Sequence, residues 1–252
     1  MREKLIALSL AKKGDWNEMY QVVKIDHQLK SIDEKAAHQL VNQLDCNVIT
    51  IVDENYPQAW REMTKPPFVV YLKGCDQQLT TKTVTIVGGK TMTEYSKKAV
   101  KRLMARLPKE INVATGFEQG VEAFANEHAK RRIVCLASGF YADEIYEKQP
   151  AYQLLNENDL LISELPPHSK FSLQAYYRSY HLLMELSSVV CVFGMPSFDL
   201  RLKYLNHLTE VGKTVFVLPD QLNRHTAGGL MLLNQGAKCL IDKGAILNCF
   251  DD

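Results

Sequence analysis

From residue 82 onward the chain repeats one pattern: a short apolar run, a turn holding glycine or polar residues, and an amphipathic stretch of roughly 10 to 17 residues. The runs are Thr83 to Val87, Ile111 to Ala114, Ile133 to Ala137, Leu160 to Leu165, Val189 to Phe193, Thr214 to Leu218 and Lys238 to Ile241. Continuously apolar runs mark strands buried on both faces, and strands separated by helices are joined in parallel through right-handed crossovers. The spacing therefore predicts an α/β fold with a doubly wound, mostly parallel sheet. In such sheets the loops at the carboxyl ends of the strands gather on one rim, and ligands bind where the strand order reverses.

Upstream of this series, three helix-like stretches are expected, Glu3 to Lys12, Asp15 to Ile25 and Asp33 to Leu44. In the third, Ala36, Ala37, Leu40, Val41 and Leu44 fall at helical spacing behind Asp33, a suitable N-cap. A short β run (Asn47 to Val52) and the turn-rich DENYPQAW follow. Pro66 and Pro67 then forbid helix, so PFVVYL reads as a strand. Two domains are expected: a helical one over residues 1–46 and an α/β one over residues 47–252.

Composition narrows the class. With 46% hydrophobic and 23% charged residues the chain is neither disordered nor fibrous, and no apolar run approaches a bilayer span. The start, MREKLIALSLAKKGDW, has no small-residue cleavage site, so a cytoplasmic protein is expected. Its six cysteines, Cys46, Cys75, Cys135, Cys191, Cys239 and Cys249, form no CxxC pair and are expected to be reduced. Thirty basic residues against 29 acidic ones give a net charge of +1, so a polyanion would have to be held by a local patch.

The candidate site residues lie on the predicted rim. Gly88, Gly89 and Lys90 follow the first strand of the series and precede a helix, where amide groups and a lysine can meet a phosphate; a plain tight turn is the alternative. The next helix carries Lys97, Lys98, Lys101, Arg102 and Arg106 outward, which reads either as a solvated face or as a guide for a nucleic-acid backbone. Thr115 and Gly116 open a second strand-to-helix turn. Further on, Tyr176, Tyr177, Arg178, Tyr180 and His181 interleave rings with cations, as single strands require, although the same rings could simply pack. Glu164, at a strand end, could act as a base or cap a loop. His128 is isolated, and there is no GxSxG, no HExxH and no carboxylate pair, so no catalytic residue, metal or cofactor is expected.

Taken together the segments resemble the DNA-processing A (DprA/Smf) family. Tyr56-Pro57, Pro66-Pro67 and Tyr71-Leu72-Lys73-Gly74 resemble its entry to an extended Rossmann-like domain. Val84 to Lys90 is similar to its IVGSR turn, with Tyr95-Ser96 standing for the YG that follows. Thr115 to Glu122 resembles SGxxxGID, and Asp159 to Pro167 is similar to GxLLSExPP. Phe171 to Leu186 resembles the FPxRNRIIAGL helix, Ser188 to Gly194 stands at VVVVEA, Gly212 to Pro219 resembles GxxVFAVPG, and Thr226 to Ala237 resembles SxGxNxLIxxGA.

The resemblance covers roughly residues 56–242 and implies a dimerising module that binds single-stranded DNA on its rim and loads the RecA recombinase during natural transformation. No C-terminal winged helix is expected. The departures fall on DNA-contacting positions: Lys90 stands for the arginine of GSR, Glu122 for the aspartate of GID, and Ser179 and His181 for the RNR pair, with Arg178 shifted by one. Phe193 replaces the acid of VVEA, Ser197 alone remains of a SGSLxTA loop, and Leu230 replaces an asparagine. A lysine meets phosphate as a point charge, without the guanidinium fork. The resemblance thus implies Lys90, Arg178, His181 and Ser197 as contacts, with Thr115, Gly116 and Gly228 shaping the backbone. Two other functions are weighed: a nucleotide-cleaving phosphoribohydrolase, whose PGGxGT-type loop survives only as Gly228-Gly229, and a diverged interaction protein that does not bind DNA.

Overall fold

The computed structural model describes residues 1–142, 156–241 and 244–250. They fall into two compact units, one of Met1–Leu79 with Leu136–Ser179 and the other of Thr80–Cys135 with Tyr180–Asp252.

The first unit begins with helices α1 (Arg2–Ala11), α2 (Trp16–Ile25) and α3 (Glu34–Asn42). Asp15 and Asp33 cap α2 and α3 by accepting from the backbone N–H groups of Glu18 at 2.9 Å and Ala36 at 2.8 Å, which satisfies donors the helices cannot use themselves. Helix α1 buries Leu5 to Ser9, and the Tyr71 hydroxyl hydrogen-bonds Ser9 at 3.0 Å. Strands β1 (Asn47–Thr50) and β2 (Val69–Gly74) pair antiparallel, joined through the short helix α4 (Gln58–Arg61). The YP and PP segments tie this connection down: Tyr56 donates its hydroxyl to the Pro67 carbonyl at 2.7 Å, Trp60 is fully buried, and Trp16 donates to the Pro66 carbonyl at 2.7 Å.

Strand β6 (Leu160–Ser163) stands in the expected series, and β2, which precedes that series, runs antiparallel to it. With β2 lying along it, the apolar LLIS run is buried by an antiparallel neighbour, which an apolar run alone cannot distinguish from a parallel one. Residues 143–155, where a crossover before β6 would fall, lie outside the described residues.

The second unit holds β3 (Thr83–Gly88), α5 (Glu94–Arg106), β4 (Asn112–Thr115), α6 (Val121–His128) and β5 (Arg132–Leu136). Helix α7 (Leu173–Leu186) contains the boundary between the units. It is followed by β7 (Val189–Phe193), α8 (Arg201–Glu210), β8 (Thr214–Val217), α9 (Ala227–Asn234), β9 (Lys238–Cys239) and α10 (Gly244–Leu247). The strands are parallel in the order β5-β4-β3-β7-β8-β9. Counted from β3, this is the Rossmann order 3-2-1-4-5-6, and its switch point lies between β3 and β7. The core between sheet and helices includes Val84, Ile86, Val100, Leu103, Met104, Val121, Val189, Cys191 and Phe193, with Cys191 as a small apolar residue. Strand β9 is shorter than the expected Lys238 to Ile241 and exposed. It lies at the edge, where pairing on one side only sustains little strand.

Candidate nucleic-acid interface

The sheet order places two loops at the switch point, Gly89 to Thr93 after β3 and Gly194 to Leu200 after β7. They close on each other through their backbones. The Gly89 N–H donates to the carbonyls of Gly194 at 3.1 Å and Phe193 at 3.3 Å, and the Gly89 carbonyl accepts from Val121 at 3.2 Å. The glycines are required by this approach: a Cβ on Gly88 would lie 2.2 Å from the Phe193 carbonyl oxygen, and one on Gly89 2.3 Å from that of Gly194. The Gly89 amide that could have met an anion is therefore engaged inside the protein. Two side chains stand outside the crevice. Lys90 is exposed, its side chain 75% accessible, with Glu118 beside it at 3.5 Å. Ser197 is exposed on the opposite loop.

Beneath these loops lies a buried ionic network that joins three of them. Arg201, at the start of α8, donates to Glu122 at 2.7 Å, to the Gly88 carbonyl at 2.8 Å, and to both oxygens of Asp199 at 3.0 and 2.7 Å. Tyr180 donates its hydroxyl to Glu122 at 2.8 Å, and its ring lies under the Arg201 guanidinium at 4.6 Å. Gly116 has no room for a side chain because a Cβ would sit 2.6 Å from that hydroxyl. Thr115 is buried and hydrogen-bonds Asn126 at 2.9 Å. Gly228 packs in the same way, its N–H on the Met195 carbonyl at 2.9 Å and its Cβ position 2.5 Å from the Pro196 carbonyl oxygen.

Burial lifts the Glu122 carboxyl to about 7, against the opposing pull of Arg201 and the Tyr180 hydroxyl. Burial alone would lower the Arg201 guanidinium, but hydrogen bonding to Asp199 and the Glu122 charge outweigh it and hold the proton firmly. A carboxyl raised on folding binds its proton more tightly in the native state, so its contribution is most favourable below its unfolded value and declines as pH rises towards 7. In thermal melts, Glu122→Gln is accordingly expected to gain on the wild type as pH is raised from 5 to 8. A constant difference across that range would show that Glu122 does not titrate there.

The remaining candidates are committed to internal contacts. Arg178, in the first unit, grips Glu164 with two nitrogens, its Nε at 2.7 Å, and donates to the Lys65 carbonyl at 3.2 Å. Both partners are mostly buried, their side chains 14% and 13% exposed, and Glu164 is thereby occupied as the acceptor of an arginine. His181 stacks on Tyr204, centroids 3.6 Å apart, and Tyr180 is buried. Of the interleaved rings Tyr176, Tyr177 and His181 stay partly accessible and Tyr180 does not. Gly88, Gly89, Lys90, Thr115, Gly116, His181, Ser197 and Gly228 share the second unit, whereas Arg178 belongs to the first.

Sequence reasoning did not single out Arg201 and Asp199. The available signal was the charged pair in FDLR opening a helix just after a strand of the sheet. Asp220 was also missed. It accepts from Thr93 at 2.6 Å and Ser96 at 2.8 Å at the start of α5; burial pulls its carboxyl up, but these hydrogen bonds prevail and hold it below the ordinary range. Among the described residues no helix is long and apolar enough to cross a membrane.

A switch-point rim above a parallel sheet with this strand order defines an α/β ligand-binding module of Rossmann type. Residues 47–251 match the family model for DNA recombination-mediator protein A, and the chain belongs to that family. It is 28% identical over 202 residues to DNA processing protein DprA of Bacillus subtilis, covering 77% of this chain and 68% of that one. It is 23% identical over 212 residues to DprA of Streptococcus pneumoniae, covering 80% and 73%. Among solved structures, DprA of Streptococcus pneumoniae superposes with a TM-score of 0.77 at 20% identity over 98% of this chain and 92% of that one. DNA processing protein A of Helicobacter pylori, described for its unique single-stranded DNA binding mode, superposes with a TM-score of 0.69 at 23% identity, over 82% and 96%.

Proposed function

We propose that this protein binds single-stranded DNA on the switch-point rim of its second unit and works in DNA uptake, as a cytoplasmic homodimer that loads the RecA recombinase. The observation that carries the reading is that Lys90 and Ser197 are both exposed, on two loops that backbone hydrogen bonds close against each other. Family membership supports it, as does the single-stranded DNA binding described for the Helicobacter pylori relative. Lys90 supplies charge, and its surface pair with Glu118 is weak enough for a phosphate to displace. Residues 1–46 are read as a helical appendage to the family module over 47–252. The reading assigns the chain no catalytic step.

Arg178 acts in this reading as a structural tie, and Thr115, Gly116 and Gly228 as shapers of the rim. Fluorescence anisotropy with an oligonucleotide of about 20 nucleotides tests it. Lys90→Glu is expected to weaken binding about tenfold and to flatten the dependence of log K on log salt by about 0.7, the share of one phosphate contact on a single strand. Wild-type protein that binds no oligonucleotide, or binds with no salt dependence, would refute the reading.

A further inference from the structure

Helix α5 packs Ser96, Val100, Leu103 and Met104 into the core and turns a second stripe outward. That stripe is Tyr95, Lys98, Arg102 and Arg106, with Lys101 beside it, at the three- and four-residue steps that align side chains along one helix face. Successive cations along it are about 6 Å apart in rise, over a helix about 20 Å long. The solvated face of a helix ordinarily mixes signs, since like charges four residues apart oppose helix formation. Here five basic residues stand against a single acid, Glu94, which pairs with Lys97 at 2.7 Å and feels Lys98 more weakly. Among the described residues no carboxylate forms an ion pair with Lys98, Lys101, Arg102 or Arg106.

This face is one wall of a groove of about 250 Å³, whose other wall is Leu218, Leu240 and Ile241. Its lips are an aromatic ring and an aliphatic side chain left in water: Tyr95 is 54% exposed and Ile241 87%. Cations along one side and exposed apolar surface along the other suit a strand that turns phosphates one way and base faces the other. The groove also continues the rim. Tyr95 lines both it and the recess formed with Thr93, Pro219 and Asp220, and Lys90 lies on the same β3–α5 connection.

We propose that the outer face of α5 is a second contact for single-stranded nucleic acid, carrying the strand onward from the rim. The inference rests on the single-strand-binding reading and extends it to a length dependence. Oligonucleotides of about 8 nucleotides fill the rim alone, and those of about 40 nucleotides reach α5 as well. The test is anisotropy with poly-dT of both lengths, using the wild type, K98E/R102E/R106E, and a charge-matched control in the first unit, K24E/K30E/K35E.

The triple α5 variant is expected to lose at least about tenfold affinity for the long strand, with its log–log salt slope reduced by about 2, while keeping wild-type affinity for the short one. The control is expected to keep both affinities. Unchanged long-strand affinity in the α5 variant overturns the inference and leaves the rim reading standing, as does an equal loss in the control, which would reduce the effect to overall charge. Loss of self-association in sedimentation without loss of DNA affinity would assign the face to a second copy and also overturn it. If the wild type binds neither length, the rim reading falls, and the inference with it.

Discussion

Replacing Arg201 with alanine is expected to destabilise the protein by about 3–5 kcal/mol, the cost of removing one partner from a buried ion pair. The guanidinium is 5% exposed and serves two carboxylates and a backbone carbonyl. Without it Glu122 stays wholly buried beside Tyr180, Asp199 loses its bidentate partner, and the Gly88 carbonyl loses a donor. Arg201→Lys is expected to restore little, because one ammonium cannot span Glu122, Gly88 and Asp199 in a planar fork. Denaturant titration of the three proteins decides the matter; a loss under about 1 kcal/mol for the alanine variant would mean that the network reorganises around water.

Gly88→Ala is the second large effect, about 3 kcal/mol or more, at the upper end of what overpacking costs. The added methyl would lie 2.2 Å from a backbone oxygen of β7 and 2.6 Å from Val121, and neither can swing aside as the tip of a long side chain could. Relief must come from parting β3 and β7, which are paired along their length from Val84 to Gly88. Because that seam is the switch point, the variant is also expected to bind DNA more weakly at temperatures where it remains folded. A melting temperature within about 2 °C of wild type would show that the loops yield more easily than their hydrogen bonds indicate.

Much of the fold was legible because the strands are short, apolar and separated by amphipathic helices. Val189 to Phe193 was read to the residue, and the ends of β3, β4, β5 and β8 moved by one residue. Asp33 announced its helix because capping is a local interaction. The antiparallel pairing of β2 with β6 was not legible, since an apolar run does not reveal which neighbour will cover it. The candidate site was less legible for the same reason. Lys90 and Arg178 look alike as cations in a sequence, yet one stands in solvent and the other is held by Glu164, a partner fourteen residues away that only folding brings into reach. Gly88, Gly89 and Gly116 were legible as turns, whereas Gly228 lies within α9; at each, the backbone and side-chain atoms that exclude a Cβ come from distant segments.

The inward commitment of the Gly89 amide bears on how tightly any ligand is held. A cradle of fixed peptide dipoles grips one anion in one place and releases it slowly. If, as proposed, the rim meets phosphates through the Lys90 amine and the Ser197 hydroxyl, a chain of identical phosphates can slip from one to the next, so residence is brief and position is not remembered. Such a surface suits handing a strand over more than storing it.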